Sequence, residues 1–267
     1  MIAEDTQPPG DGGKSRPGPR TTSGSLHTAA LDAAAGTTGR PTARLTATDP
    51  AGGAPCAEAA PKPAMRGWLH AGIFPLSLAG GVVLIALARP AAAVAACSVF
   101  ALSAWLLFGT SAVYHRGTWG RRGEAVLRRL DHANIFLIIA GTYTPLAVLL
   151  LSGRRRTVLL AVVWAGALAG IAFRTLWMGA PRWLYTPCYI ALGWAAVLYL
   201  PDFARTGGIA VVVLVIAGGL LYTAGGVVYG LKRPDPSPYW FGFHEVFHAL
   251  TVAAFSAHYT AVLLAAT

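Results

Sequence analysis

Seven stretches of the chain run apolar without an aspartate, glutamate, lysine or arginine inside, at 67–88, 91–114, 133–151, 157–173, 183–201, 208–231 and 246–266. Each has roughly the 17–25 residues that carry an α-helix across the ~30 Å hydrocarbon core of a bilayer. The pattern predicts an all-α fold, a bundle of seven transmembrane helices. The fourth run is the shortest, and Arg89-Pro90 marks the turn between the first two.

Ahead of position 66 the pattern is absent. Positions 1–65 hold nine of the 18 prolines and none of the tryptophans, tyrosines or phenylalanines. Such a segment cannot bury enough apolar surface to offset its ordering entropy, so it is expected to be a disordered tail ahead of a membrane domain at 66–267. No apolar run follows Met1, so no cleavable signal peptide is expected, and Met65 is a candidate second start.

Composition agrees with the pattern: 55% of residues are hydrophobic, 12% are charged and the mean hydropathy is +0.53. These are membrane-protein values. The formal net charge is +10, and the tail's basic and acidic residues cancel, so all of it belongs to the membrane domain. Its basic residues flank the apolar runs, which makes anionic lipid headgroups the expected partner and argues against nucleic acid. Ten of them (Arg66, Arg116, Arg121, Arg122, Arg128, Arg129, Arg174, Arg182, Lys232 and Arg233) fall on the side where the first run starts, against five on the other. The N-terminus is therefore expected in the cytoplasm and Thr267 outside, with Arg154-Arg155-Arg156 pulling the other way. The loop 116–130 carries Trp119, Val126, Leu127 and Leu130 among its arginines, and reads either as a segment lying along the inner membrane surface or as a solvated loop.

The polar exceptions gather at one depth. His115 ends the second run, Asp131 precedes the third, and His244 and His248 open the seventh, all at the predicted cytoplasmic face. His244 and His248 are four apart and share a helix face, as do Ser111 and His115. The stretch His244-Glu245-Val246-Phe247-His248 also spells H-E-x-x-H, the helix pattern of zinc proteases. A protease of that type needs a water-filled cleft and a third ligand downstream, whereas this helix enters lipid and the third histidine lies upstream. Taken singly, Asp131 reads as an N-cap of the third helix, and His70 and His258 as interfacial polar residues. Three histidines and a carboxylate together near hydrocarbon are costly unless they pair or bind an ion. Three imidazoles with one open position describe a catalytic-type zinc site, with the carboxylate orienting water or polarising a histidine.

The remaining features carry less chemistry. Cys56, Cys97 and Cys188 form no C-x-x-C, and the last two read as small packing residues. Gly218-Gly219 and Gly225-Gly226 read as close-packing positions, and glycine-rich faces leave a homo-oligomer open.

In Ser111-x-x-Tyr114-His115, in Leu130-Asp131-His132 leading to Gly141-Thr142-Tyr143-Thr144-Pro145, and in Tyr229-x-x-Lys232-Arg233-Pro234 ahead of His244-x-x-Phe247-His248, the chain resembles the hemolysin III family. That family is the bacterial branch of the progestin and adipoQ receptor group, and the resemblance covers residues from about 66 onward. It implies a seven-helix bundle with zinc held near the cytoplasmic face by His115, His244 and His248, with Asp131 and Ser111 as polar partners and Glu245 not a ligand. Eukaryotic relatives are linked with ceramide hydrolysis, which implies a zinc-dependent hydrolase of a lipid amide or ester. The alternative is a non-enzymatic membrane-homeostasis or pore-forming protein with a structural zinc. No amphipathic, water-lining run supports the pore, and no mid-depth ionisable relay supports a transporter.

Overall fold

The computed structural model describes residues 63–267. The tail predicted at 1–65 lies, as far as residue 62, outside them. The regular structure is helical: α1 (Trp68–Leu87), α2 (Ala91–Arg116), α3 (Arg121–Leu150), α4 (Gly153–Leu176), α5 (Arg182–Gly193), α6 (Leu200–Leu231) and α7 (Phe243–Ala266), with a 3-10 turn at Ala195–Tyr199.

Hydrogen bonds and glycine contacts give the direction of each helix. On α1 and α2, Trp105 Nε1 donates to the Ser77 carbonyl (2.8 Å) while Gly109 packs on Phe74, an antiparallel register. On α2 and α3, Asn134 Nδ2 donates to the Leu106 carbonyl (3.0 Å) and Gly141 faces Ser103. On α3 and α4, Trp164 Nε1 donates to Thr144 Oγ1 (3.1 Å) and Gly170 faces Phe136. In contrast, α1 and α7 run parallel. His70 meets His248 near their starts, and further along Tyr259 donates its hydroxyl hydrogen to the Gly80 carbonyl (2.9 Å). Both helices therefore start at the same end of the bundle.

Six helical segments are long and apolar enough to cross a membrane, and one of them, Arg182–Leu231, is 50 residues long. That is twice the need of a single crossing. The segment doubles back on itself: Tyr185 and Tyr229 hydroxyls meet at 3.4 Å, Trp194 Nε1 donates to Thr223 Oγ1 at 3.0 Å, and Gly226 packs on Ile190 and Thr186. The reversal falls at Gly208, whose φ of 81° and ψ of 170° leave the helical region. Glycine reaches that conformation without a Cβ clash.

The fifth predicted helix differs from expectation, being α5 of 12 residues followed by the 3-10 turn. The cause is Tyr143 of α3. Its hydroxyl donates to the Gly193 carbonyl (2.5 Å) and accepts from the Ala196 N–H (3.0 Å), so it stands in the hydrogen-bond ladder that would continue α5. On α6, Gly218 and Gly225 face His258 and Phe247 of α7, while Gly226 faces α5, so these glycines do serve close packing. Cys97 is buried as expected, whereas Cys188 is exposed.

The loop read at 116–130 is mostly helix. It forms the first turns of α3, with Arg121, Arg122, Arg128 and Arg129 exposed. Asp131 thus sits inside α3 and does not cap it. The end of the bundle where α1, α3, α5 and α7 begin carries the exposed tryptophans Trp68, Trp119, Trp177, Trp183 and Trp240. Together with the arginines they mark a membrane interface at that end. The other end has Asp202 paired with Arg155 (2.9 Å) and Arg205 (3.7 Å).

Single cysteines at Gly120 and Ser237, in a cysteine-free background, are expected to label from one side of the membrane and one at Ser152 from the other. Labelling of Ser152→Cys from the same side as the first two would refute this topology.

Candidate metal centre

Three helices bring the site together at the arginine-rich end. His115 comes from the last turn of α2, and His244 and His248 from the first turns of α7. One ring nitrogen from each lies within 4.8 Å of those of the other two. Nε2 of His115 and Nε2 of His244 face each other at 3.2 Å, and the ring of His248 lies 4.4 Å from that of His244 and 5.2 Å from that of His115. The histidines predicted to share a metal are thus within reach of one ion. Imidazole donors in a largely enclosed site suit a borderline transition metal.

Asp131 of α3 approaches the same nitrogen that faces His244, with Oδ2 3.9 Å from His115 Nε2. A carboxylate that only oriented His115 would stand behind its ring. Asp131 stands instead on the side where the ligand atoms converge, beside the enclosed hydroxyl of Ser111. Both border a largely apolar cavity that runs from His248 into the bundle as far as Tyr143 and Leu200.

Two residues have roles that the sequence reading does not assign. His70 is 2% exposed, not interfacial as expected, and its ring stacks on His248 with centroids 3.8 Å apart and planes within 1°. Rings stacked in this way keep their lone pairs in two parallel planes, so His70 does not converge with His248 on one ion. It buttresses the His248 ring. The signal was available: His70 starts the first run at the depth shared by the other site histidines. Gly67 lets this end of α1 approach, since a Cβ there would stand 2.7 Å from His115 Cβ and its φ is +81°. His258 is also internal rather than interfacial, bonding the Val215 carbonyl at 3.1 Å.

Glu245 decides the reading of H-E-x-x-H. It is 1% exposed, pairs with Arg66, and accepts the Gly242 N–H at 2.9 Å as part of the α7 cap. Both carboxylate oxygens are thus engaged away from the three ring nitrogens. A zinc protease needs that glutamate beside the metal-bound water.

A family model described as "Haemolysin-III related" matches residues 59–259. The chain belongs to the hemolysin III family. Among curated proteins it is 31% identical over 167 residues to the hemolysin-3 homolog of Bacillus subtilis (strain 168), covering 62% of this chain and 75% of that one. It is 34% identical over 140 residues to hemolysin-3 of Bacillus cereus, covering 52% of this chain and 63% of that one. This hemolysin III protein is a multi-pass membrane protein, and its histidine cluster lies at the tryptophan- and arginine-bearing interface.

Arg66→Met leaves the buried Glu245 without its partner. It is expected to lower stability in detergent by about 3 kcal/mol, the low end for a broken buried pair because Arg66 is partly exposed. Glu245→Gln keeps an acceptor for the Gly242 N–H and is expected to retain metal at the wild-type level. Loss of metal with unchanged stability in E245Q would instead place Glu245 in the site.

Proposed function

We propose that this hemolysin III protein is a zinc-dependent hydrolase of a lipid amide or ester, acting at the cytoplasmic leaflet. The observation that carries the reading is the meeting of three histidines and a carboxylate, with His248, Asp131 and Ser111 among the residues that line a largely apolar cavity. Nitrogens ~2.0–2.1 Å from one tetrahedral zinc stand about 3.3 Å apart, which the 3.2 Å between His115 and His244 fits. His115, His244 and His248 would hold the ion. The chemistry a zinc ion supplies there is Lewis acidity, which activates water near neutral pH and polarises a carbonyl.

The protein's own groups divide the remaining work. In this reading Asp131 accepts the proton that water gives up and returns it to the departing amine or alcohol. Ser111 sets a hydroxyl beside that carboxylate. The apolar wall formed by Leu107, Ile138, Ile139 and Leu146 receives a hydrocarbon chain and excludes bulk water, which strengthens the polar contacts beside it. Stacking on His70 fixes the His248 ring.

A second reading has its own support. His115 belongs to α2 while His244 and His248 belong to α7, so an ion would clasp two helices that otherwise meet through contacts such as Phe108 with Phe255. In that reading the protein is non-enzymatic, and the relatives' printed names add cytolysis as its possible outcome.

Elemental analysis of protein purified without chelators is expected to give about one zinc per chain, and little in the His244→Ala/His248→Ala variant. In reconstituted vesicles, turnover of a lipid amide or ester is expected from wild type and not from His248→Ala. Equal turnover in the two would end the hydrolase reading. Zinc without turnover, together with a large fall in Tm on chelation, would favour the clasp, and dye leakage from the same vesicles tests the pore.

A further inference from the structure

The membrane domain has few counterions to offer. From position 63 onward the chain has five carboxylates. Glu245 pairs with Arg66, Asp131 stands by His115, Asp202 takes Arg155 and Arg205, and Asp235 accepts the Phe243 N–H at 2.8 Å. Glu124 remains, exposed in the first turn of α3.

Arg174, near the end of α4, is 2% exposed, and among the described residues no carboxylate lies within ion-pair distance of it. Its guanidinium lies 4.1 Å over the Tyr185 ring and beside the Tyr189 hydroxyl. Nη1 reaches the Trp177 carbonyl only at 3.4 Å, and Nε is enclosed without a hydrogen-bond partner. A buried cation so served is costly unless something supplies the missing charge.

Its surroundings suit an anion with several acceptor oxygens. The contact of Gly170 with Phe136 sets the register of α3 against α4 and, one turn on, brings His132 level with Arg174. Arg182 lies 4.7 Å over the Tyr229 ring, whose hydroxyl meets that of Tyr185. Thr186 Oγ1 is buried and unpartnered, and the cavity reaches Thr186 and Tyr189 from inside. The exposed Trp177 and Trp183 place the group at headgroup depth, where phosphates are the abundant anions.

We propose that Arg174 and Arg182 form a binding site for a phosphate group at this end of the bundle, with Thr186 and Tyr189 as neutral donors. A guanidinium from α4 together with a guanidinium and two hydroxyls from α5 matches a tetrahedral oxyanion. The site uses none of the three histidines, although it borders the same cavity as His248, and it stands whether the metal centre hydrolyses or clasps.

The test is thermal stability of the full chain in a non-ionic detergent, titrated with dioleoyl phosphatidic acid, with dioleoylglycerol, and with inorganic phosphate. Phosphatidic acid is expected to raise Tm and dioleoylglycerol, which has the same chains and no phosphate, is not. Arg174→Gln should shift the midpoint about tenfold and Arg182→Gln about threefold, with Arg174→Lys between wild type and R174Q. If inorganic phosphate alone reproduces the rise, the site stands and its ligand is a soluble phosphate. Should R174Q fail to fold, R174K and R182Q carry the comparison. No rise in the wild type with either phosphate probe, equal responses in wild type, R174K and R182Q, or an equal rise with dioleoylglycerol would overturn the proposal. Arg174 would then be a cation held by the Tyr185 ring, the Trp177 carbonyl and the neighbouring Tyr189.

Discussion

The ion pair between Arg66 and Glu245 sets where α7 starts relative to α1, and the histidine cluster takes its geometry from that pin. Glu245 lies between His244 and His248 in the same first turns of α7, so a tilt of the helix about Glu245 moves both rings against His115. His70 is four residues beyond Arg66, and its stack on His248 is the second tie between the same two helix ends. A charge pair at the edge of a bilayer has little water to compete with it, which makes it a firmer constraint there than on a soluble surface. Gly67 completes the arrangement by leaving room for the backbone of α1 to close on His115.

Depth in the membrane was the most legible property of the sequence. Bilayer thickness and helix rise are fixed, so apolar run length gives the number of crossings, and the number of crossings assigns each polar residue to one face. His115, Asp131, His244 and His248 follow from this alone, and the reversal at Gly208 falls on the predicted start of the sixth run. His70 obeys the same rule, yet a single histidine at the end of a run shows no sign of a partner. Its partner comes from the parallel pairing of α1 with α7, a tertiary feature separated by more than 170 positions.

What the hydropathy pattern could not give has physical causes of its own. Hydropathy reports where a helix is in lipid and not where it is helical, so the arginine-rich turns of α3 ahead of Asp131 read as loop although arginine is a good helix former. The interruption of α5 depends on one hydroxyl from α3, and nothing local to α5 announces it. Arg174 sits among flanking charges that ordinarily reach for water, and only packing shows that Tyr185 and its neighbours close over it.

The H-E-x-x-H stretch illustrates how little such a motif decides alone. Four-residue spacing guarantees that two imidazoles share a helix face, and the structure uses that guarantee. It says nothing about which neighbour captures the glutamate on the adjoining face. In this protein Arg66, 179 positions away, together with the Gly242 amide, turns Glu245 into part of the helix start. The carboxylate that approaches the histidine cluster, at His115, is then Asp131, carried by α3. The acid therefore rides on a different helix from all three histidines, so its distance to His244 and His248 depends on how α3 packs against α7 and not on the geometry of one helix. Any movement of α3 along α7 would change the carboxylate's reach while leaving His244 and His248 in register.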